Sequence, residues 1–146
     1  MSKTDNIKAG IVLTILLAIF ASCSKYEDGP MISIYTKIER ATGNWQFKLV
    51  REDGVDKTED YMNQSVNMTK GGTLRWIQGY NGYVPYGFSG TWRFVNNKNQ
   101  IEMHFYEGVD EEFTLIWDIT RLAYADLQLA RYEGAKKIEW RMWKHY

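Results

Sequence analysis

"EFTLIWDITRL", residues 112–122, carries the strongest folding signal in the chain. Phe113, Leu115, Trp117 and Ile119 fall on one side of an extended strand, and Thr114, Asp118 and Thr120 on the other. Successive side chains of a strand point to opposite faces, so this two-residue beat predicts a strand with one buried face. The beat continues in both directions. Upstream it runs through "NWQFKLVRE" (44–52), with Trp45, Phe47 and Leu49 on one face, and through "SVNMT" (65–69). It recurs in "TLRWIQG" (73–79) with Leu74 and Trp76, and in "GTWRFV" (90–95) with Trp92 and Phe94. In "QIEMHFYE" (100–107) Ile101, Met103 and Phe105 oppose Glu102, His104 and Tyr106. Downstream, "DLQLARY" (126–132) and "KKIEWRMWKHY" (136–146) extend it, the latter aligning Ile138, Trp140 and Met142 and turning Trp143 outward.

Turn-forming residues separate these eight segments, among them Asp53-Gly54, Lys70-Gly71-Gly72 and "NNKNQ" (96–100). No amphipathic helical stretch lies between them. An antiparallel meander of eight strands can close on itself and remove its own edges, so the expected fold is all-β, an eight-stranded up-and-down barrel. "ISIYTKIERATG" (32–43) reads as either a lead-in strand or a short helical turn. The inward set would hold Trp45, Phe47, Trp76, Trp92, Phe94, Phe105, Phe113, Trp117 and Trp140. A barrel of this size is either filled by such side chains or holds one small ligand.

The only cysteine, Cys23, sits at the seam of "AIFASCSKYEDGP" (18–30). With no second cysteine it has no disulfide partner in the chain, and no neighbouring histidine suggests zinc. Before it stand Lys3 and Lys8, an apolar run from Ala9 to Ala21, and the small pair Ala21-Ser22, the layout of a secretory signal peptide. Read as helix the run reaches about 20 Å, short of a ~30 Å hydrocarbon layer. Phe20-Ala21-Ser22-Cys23 resembles a bacterial lipobox, with Phe20 in place of the usual leucine. That resemblance implies cleavage after Ser22, acyl chains (palmitate and its like) on Cys23, and a mature protein held at a membrane without a transmembrane helix. The expected division is a signal peptide at 1–22, a lipidated tether at 23–31 and a barrel domain at 32–146. Ser24 after the cysteine points to the outer membrane, and Glu27-Asp28 resembles the acidic tether signals that send some Bacteroidota lipoproteins to the cell surface, leaving the periplasmic face and the surface both open.

Removing residues 1–22 takes Lys3, Lys8 and Asp5 from 18 basic and 18 acidic residues, leaving 16 and 17. A slightly negative chain is not a nucleic-acid binder by charge. An aromatic fraction of 15% excludes a disordered tail and favours strands.

Gly43-Asn44-Trp45, opening the first strand, resembles the Gly-x-Trp motif of lipocalins, and together with the lipobox and "TKIERATGNW" the chain is similar to small lipocalin-like lipoproteins of Bacteroidota. The resemblance implies that Trp45 plugs the closed end of the barrel with an arginine over its ring. Arg121 is the first choice, with Arg131 and Arg141 open as alternatives. The resemblance also implies a small hydrophobic or amphiphilic ligand. The chain stops straight after its last strand, without the helix that follows the barrel in longer lipocalins.

No catalytic constellation emerges. Cys23 is consumed by lipid, and His104 and His145 sit among solvent-facing neighbours. Glu102 with His104 could offer two metal ligands on one strand face, and Asp110-Glu111-Glu112 an acidic patch, but both read better as solvated surface. No enzyme activity, metal or cofactor is expected. "GYNGYVPYGF" (79–88) reads as a connection longer than a hairpin requires, and long loops in compact domains often bind or cover ligands. Trp76, Tyr80, Tyr83, Tyr86 and Phe88 are therefore the candidate ligand-binding residues at the barrel mouth. The alternative partner is an outer-membrane protein complex on which a self-filled barrel docks.

Overall fold

Strands that are apolar on one face only can bury all those faces together by rolling the sheet shut, and the chain does so. A computed structural model describes residues 34–81, 84–107 and 111–146. A short helix, α1 (Lys37–Ala41), leads into β1 (Gly43–Glu52), a two-residue strand β2 (Val55–Asp56) and a 3-10 turn (Thr58–Tyr61). Then follow β3 (Ser65–Met68), β4 (Thr73–Asn81), β5 (Val84–Val95), β6 (Gln100–Glu107), β7 (Glu111–Leu122), β8 (Asp126–Glu133) and β9 (Lys136–His145). Neighbours pair antiparallel in the order β1-β3-β4-β5-β6-β7-β8-β9, and β9 returns to β1 to close the wall. The expected eight-stranded up-and-down barrel is the fold. β2 lies outside the ring as a flap on β1, pairing Arg51 with Asp56 and Glu52 with Val55.

The open choice over residues 32–43 falls to helix for Lys37–Ala41. A capping box starts it: Glu39 N–H donates to Thr36 Oγ1 at 3.3 Å, and Thr36 N–H donates to Glu39 Oε2 at 2.9 Å. Around the barrel, Trp45, Trp92, Phe105, Trp117 and Trp140 are buried, and Phe47, Trp76, Phe94 and Phe113 pack against them, as the alternation predicts.

Among the described residues three bulges break the alternation, lying between Phe47 and Leu49 on β1, Ile77 and Gly79 on β4, and Ile119 and Arg121 on β7. Each adds one residue to one strand and bends the wall, which a small closed barrel needs. Leu49 therefore does not share a face with Trp45 and Phe47; Val50 takes the buried position instead. On β7 the same slip turns Arg121 outward and Leu122 inward.

The two ends differ. At the helix end, α1 lies over Trp45, whose Nε1 donates to the Ala41 carbonyl at 2.8 Å. Arg40 Nη1 donates to the Leu122 carbonyl at 2.8 Å, Lys37 Nζ donates to the Lys98 carbonyl, and Lys70 Nζ lies 3.0 Å from Glu39 Oε1. The Thr36 N–H, then Lys70, hold the Glu39 carboxyl down at about 2. A carboxyl with a folded pKa below its ordinary 4.5 favours the folded form above that value and loses this preference as pH falls from 4.5 toward about 2. Acidification through that window is expected to loosen α1, followed as exchange broadening of the Glu39 and Thr36 amide signals. Thr36→Ala is expected to lower stability by about 1 kcal/mol at neutral pH, read as a urea midpoint, and an unchanged midpoint refutes the cap's contribution.

Candidate ligand-binding end of the barrel

At the opposite end the lining is aromatic. Trp76 on β4 and Phe88 on β5 are cross-strand partners with ring centroids 5.9 Å apart. Phe88 meets Phe113 edge-on at 5.2 Å, and Phe113 stacks on Phe105 at 5.0 Å. On the other wall Trp140 lies 5.2 Å from Trp76, 4.9 Å from Phe47 and 4.0 Å from Trp117. Phe105 and Trp117 are fully buried, while Phe47, Trp76, Phe88 and Phe113 keep part of their surface in solvent. The rings thus fill the middle of the barrel and surface at its open end.

One side of this end is closed by a turn rather than a strand. β1 pairs with β3 only from Gly43 to Gln46, and beyond Gln46 the 3-10 turn covers the gap. Lys57 N–H donates to the Val50 carbonyl at 2.8 Å and Val50 N–H to Thr58 Oγ1 at 3.0 Å, which ties the turn to β1. Tyr61 hangs from it against Phe47, with centroids 5.1 Å apart, and parallel to Trp76. Burial first, then the Glu52 charge, pushes the Tyr61 hydroxyl above its usual range, so it stays a neutral donor. Trp76 Nε1 donates to Gln64 Oε1 at 2.9 Å, and a hollow of about 460 Å³ runs outside this turn along Phe47, Tyr61 and Gln64.

Beneath the exposed rings the polar groups are not all satisfied. Arg131 shares the inward face of β8 with Leu127 and Leu129, and its guanidinium sits 5.1 Å from the Trp117 ring centroid, with Nη2 on Glu133 at 2.8 Å. Among the described residues Arg131 Nε, Trp117 Nε1 and Trp140 Nε1 are buried and have no hydrogen-bond acceptor. Buried donors without acceptors are uncommon and costly, so three within neighbouring side chains mark a place suited to an acceptor-bearing molecule.

The residues proposed from sequence divide. Trp76 and Phe88 meet at the open end. Tyr86 pairs with Gly79 and lies exposed, its hydroxyl so close that any side chain at 79 would collide with it. The side chain of Tyr80, Tyr83, Asp110 and Cys23 with the rest of residues 1–33 lie outside the described residues. The long connection is corrected: β4 and β5 stay paired up to Asn81 and Val84, so most of 79–88 is strand. Gly79, Pro85 and Gly87 read as breakers there, but all three hold places in the β4–β5 ladder. Sequence reasoning missed Tyr61, hidden in a turn. It left Arg131 out of this site, although its parity with Leu127 and Leu129 sets a charge on the apolar face. His104 lies on the outer wall, bonded to Thr114 Oγ1 at 2.8 Å and near Glu112 at 3.2 Å.

The closed end holds a further correction. Arg121 and Arg141 both reach Asp126 on the outer wall, at 2.9 and 3.4 Å, and Arg131 serves Trp117. The cation over Trp45 is Lys144, with Nζ 5.1 Å from the ring centroid and donating to the Glu39 carbonyl at 3.2 Å. Burial lowers the Lys144 pKa. Gly43, at φ +140°, leaves room for it, since a Cβ there would meet the Lys144 stem at 2.9 Å.

A closed eight-stranded antiparallel wall, a helix across one end and a buried tryptophan beneath it are now in place. A lipocalin-like protein from Bacteroides uniformis superposes with a TM-score of 0.57 at 18% identity, over 73% of this chain and 99% of its own. The barrel is lipocalin-like. An uncharacterized protein from Bacteroides eggerthii superposes with a TM-score of 0.53 at 14% identity, over 71% of this chain and 98% of its own. At these identities the likeness is of fold alone. No protein-family model and no curated protein sequence matches the chain.

Proposed function

We propose that the chain is a non-catalytic lipoprotein, anchored at the outer membrane through acyl chains on Cys23, that binds a small amphiphilic molecule at the open end of its lipocalin-like barrel. Buried donors at Arg131, Trp117 and Trp140 without acceptors, beneath half-exposed Phe47, Trp76, Phe88 and Phe113, carry this reading. A ligand fitting that arrangement has an apolar or aromatic body and a carboxylate or other acceptor group. With the middle of the barrel already full of rings, it binds shallowly, against Trp76 and Phe88, and Tyr80, Tyr83 and Tyr86 are proposed as its further contacts.

The probe 1-anilinonaphthalene-8-sulfonate has both features and tests the site. Saturable binding is expected, with Arg131→Met weakening it roughly tenfold, because a hydrogen bond to a charged group contributes about 1.5–3 kcal/mol. Equal affinity for both proteins refutes the site. A second reading, docking on an outer-membrane protein complex, is favoured by the complete burial of Phe105 and Trp117, whose rings occupy the middle of the barrel. It expects an empty barrel with a stoichiometric protein partner in native mass spectra of the protein taken from its own membrane.

A further inference from the structure

The helix end carries exposed apolar and aromatic groups that its structural work does not use. Tyr35 stacks on Tyr124 with centroids 4.1 Å apart, and Tyr124 lies 6.1 Å from Tyr146. Ile34 and Ile38 stand beside them, 89% and 39% exposed. Trp143, half exposed, flanks a hollow shared with Ala123 and Ala125 in the β7–β8 turn, and Lys48 Nζ sits 3.5 Å over its ring.

Charge is unevenly divided between the two ends. Lys37, Arg40, Lys70, Lys98 and Lys144 lie on α1 or on the strand ends and turns around it; of the acidic residues there, Glu39 is paired with Lys70, and Asp126, which opens β8 beside Trp143, with Arg121 and Arg141. The opposite end carries Asp53, Asp56, Glu59 and Asp60 between β1 and β3, Glu111 and Glu112 opening β7 and Glu133 closing β8, against the fewer cations Lys57, Arg131, Lys136 and Lys137. Tyrosine and tryptophan with flanking lysine are the side chains that settle at a membrane–water boundary, where rings meet the acyl edge and ammonium groups meet phosphate.

The chain reaches the barrel at this same end. Cys23 precedes Ile34 by eleven residues, which even fully extended span no more than roughly 38 Å. We propose that the helix end is a docking face for an anionic phospholipid surface, with Ile34, Tyr35, Ile38, Tyr124, Trp143 and Tyr146 at the interface and the ligand-binding end pointing away from the bilayer. The orientation rests on the anchoring read from Cys23; the affinity of the face for lipid does not. With strands of about ten residues tilted in the wall, the ligand-binding end stands roughly 25 Å from the face.

The test uses the full protein with a bimane fluorophore on Ile38→Cys or, at the far end, on the exposed Tyr132→Cys. Vesicles of phosphatidylethanolamine and phosphatidylglycerol contain a lipid with a nitroxide on its headgroup. Quenching at position 38 is expected to exceed that at 132 by about threefold or more, and to weaken as salt screens the lysines. Tyr124→Ser with Trp143→Ser is expected to bring the two positions close together while leaving the fold's circular dichroism unchanged. Equal quenching in the unaltered background overturns the docking face. The anchor is read separately, from the mass of the N-terminal peptide: absence of acyl chains overturns lipidation, and the quenching comparison, repeated with Cys23→Ser so that bimane labels one thiol, then decides the face.

Discussion

Trp45→Ala is expected to bring the domain close to unfolding at room temperature. The indole is fully buried, gives its N–H to the Ala41 carbonyl at 2.8 Å, and supports both α1 above and the Lys144 ammonium at 5.1 Å. Truncating a buried tryptophan to alanine costs about 3–5 kcal/mol, from lost transfer energy and from the cavity left behind. Against a total of about 5–15 kcal/mol for an ordinary domain, that is a large share. The loss is compounded here because Ala41 keeps a buried carbonyl with no donor and Lys144 loses the ring face that its partial burial depends on. Urea denaturation followed by tryptophan fluorescence reads the effect as a drop in midpoint at unchanged slope. Trp45→Phe separates the terms: it keeps most of the apolar volume and loses the hydrogen bond, so it should fall between the two. A loss under about 1 kcal/mol for the alanine variant would mean the ring does not hold this end shut.

The pattern of residues reveals some parts of this molecule and hides others for definite reasons. The barrel is legible because each strand has one wet and one dry face, and that requirement writes itself into Phe113, Leu115, Trp117 and Ile119 as plainly as into Ile101, Met103 and Phe105. Bulges are not legible, because the extra residue is chosen by the curvature of the closed wall rather than by its own chemistry. Lys48 and Thr120 are unremarkable in sequence, yet they decide that Leu49 and Arg121 leave the faces a strict alternation assigns them. Lys144 was readable by the same alternation, two positions beyond Met142 and four beyond Trp140, but a lysine on an apolar face looks like an error until Trp45 supplies the surface it lies on. Arg131 is the same case with Trp117. Of the candidate site, Trp76 followed from its parity and Phe88 from the run of rings in 79–88, whereas Tyr61 belongs to a turn that reaches the rings only because β3 parts from β1 after Gln46. That parting is a property of the whole wall.

Gly90→Ala, a change of one methyl group, is expected to cost about 3 kcal/mol or more. In sequence Gly90 reads as the start of a strand after a loop. In the barrel it is buried in mid-strand, paired with Leu74 on one side and Phe105 on the other. A Cβ at this position would fall far inside contact distance of the His104 carbonyl oxygen. That oxygen is backbone in the neighbouring strand and cannot swing aside, because Thr91 is paired with His104 and Ser89 with Tyr106 on either side of the contact. Relief requires β5 and β6 to separate locally, giving up ladder hydrogen bonds and the packing of Phe105 beneath them, which takes the cost to the upper end of ordinary overpacking. Gly54→Ala is the matched control. Gly54 sits at φ +80° with nothing within 4 Å of an added Cβ, so its cost is the backbone strain alone, about 1–2 kcal/mol. Urea midpoints of the two variants, with near-ultraviolet dichroism as a check on aromatic packing, should separate them by more than the uncertainty of the extrapolation. Should Gly90→Ala prove no worse than Gly54→Ala, the close approach of β6 to β5 would be wrong. The tight curvature that presses Phe88, Phe105 and Phe113 into one aromatic cluster would then need another cause.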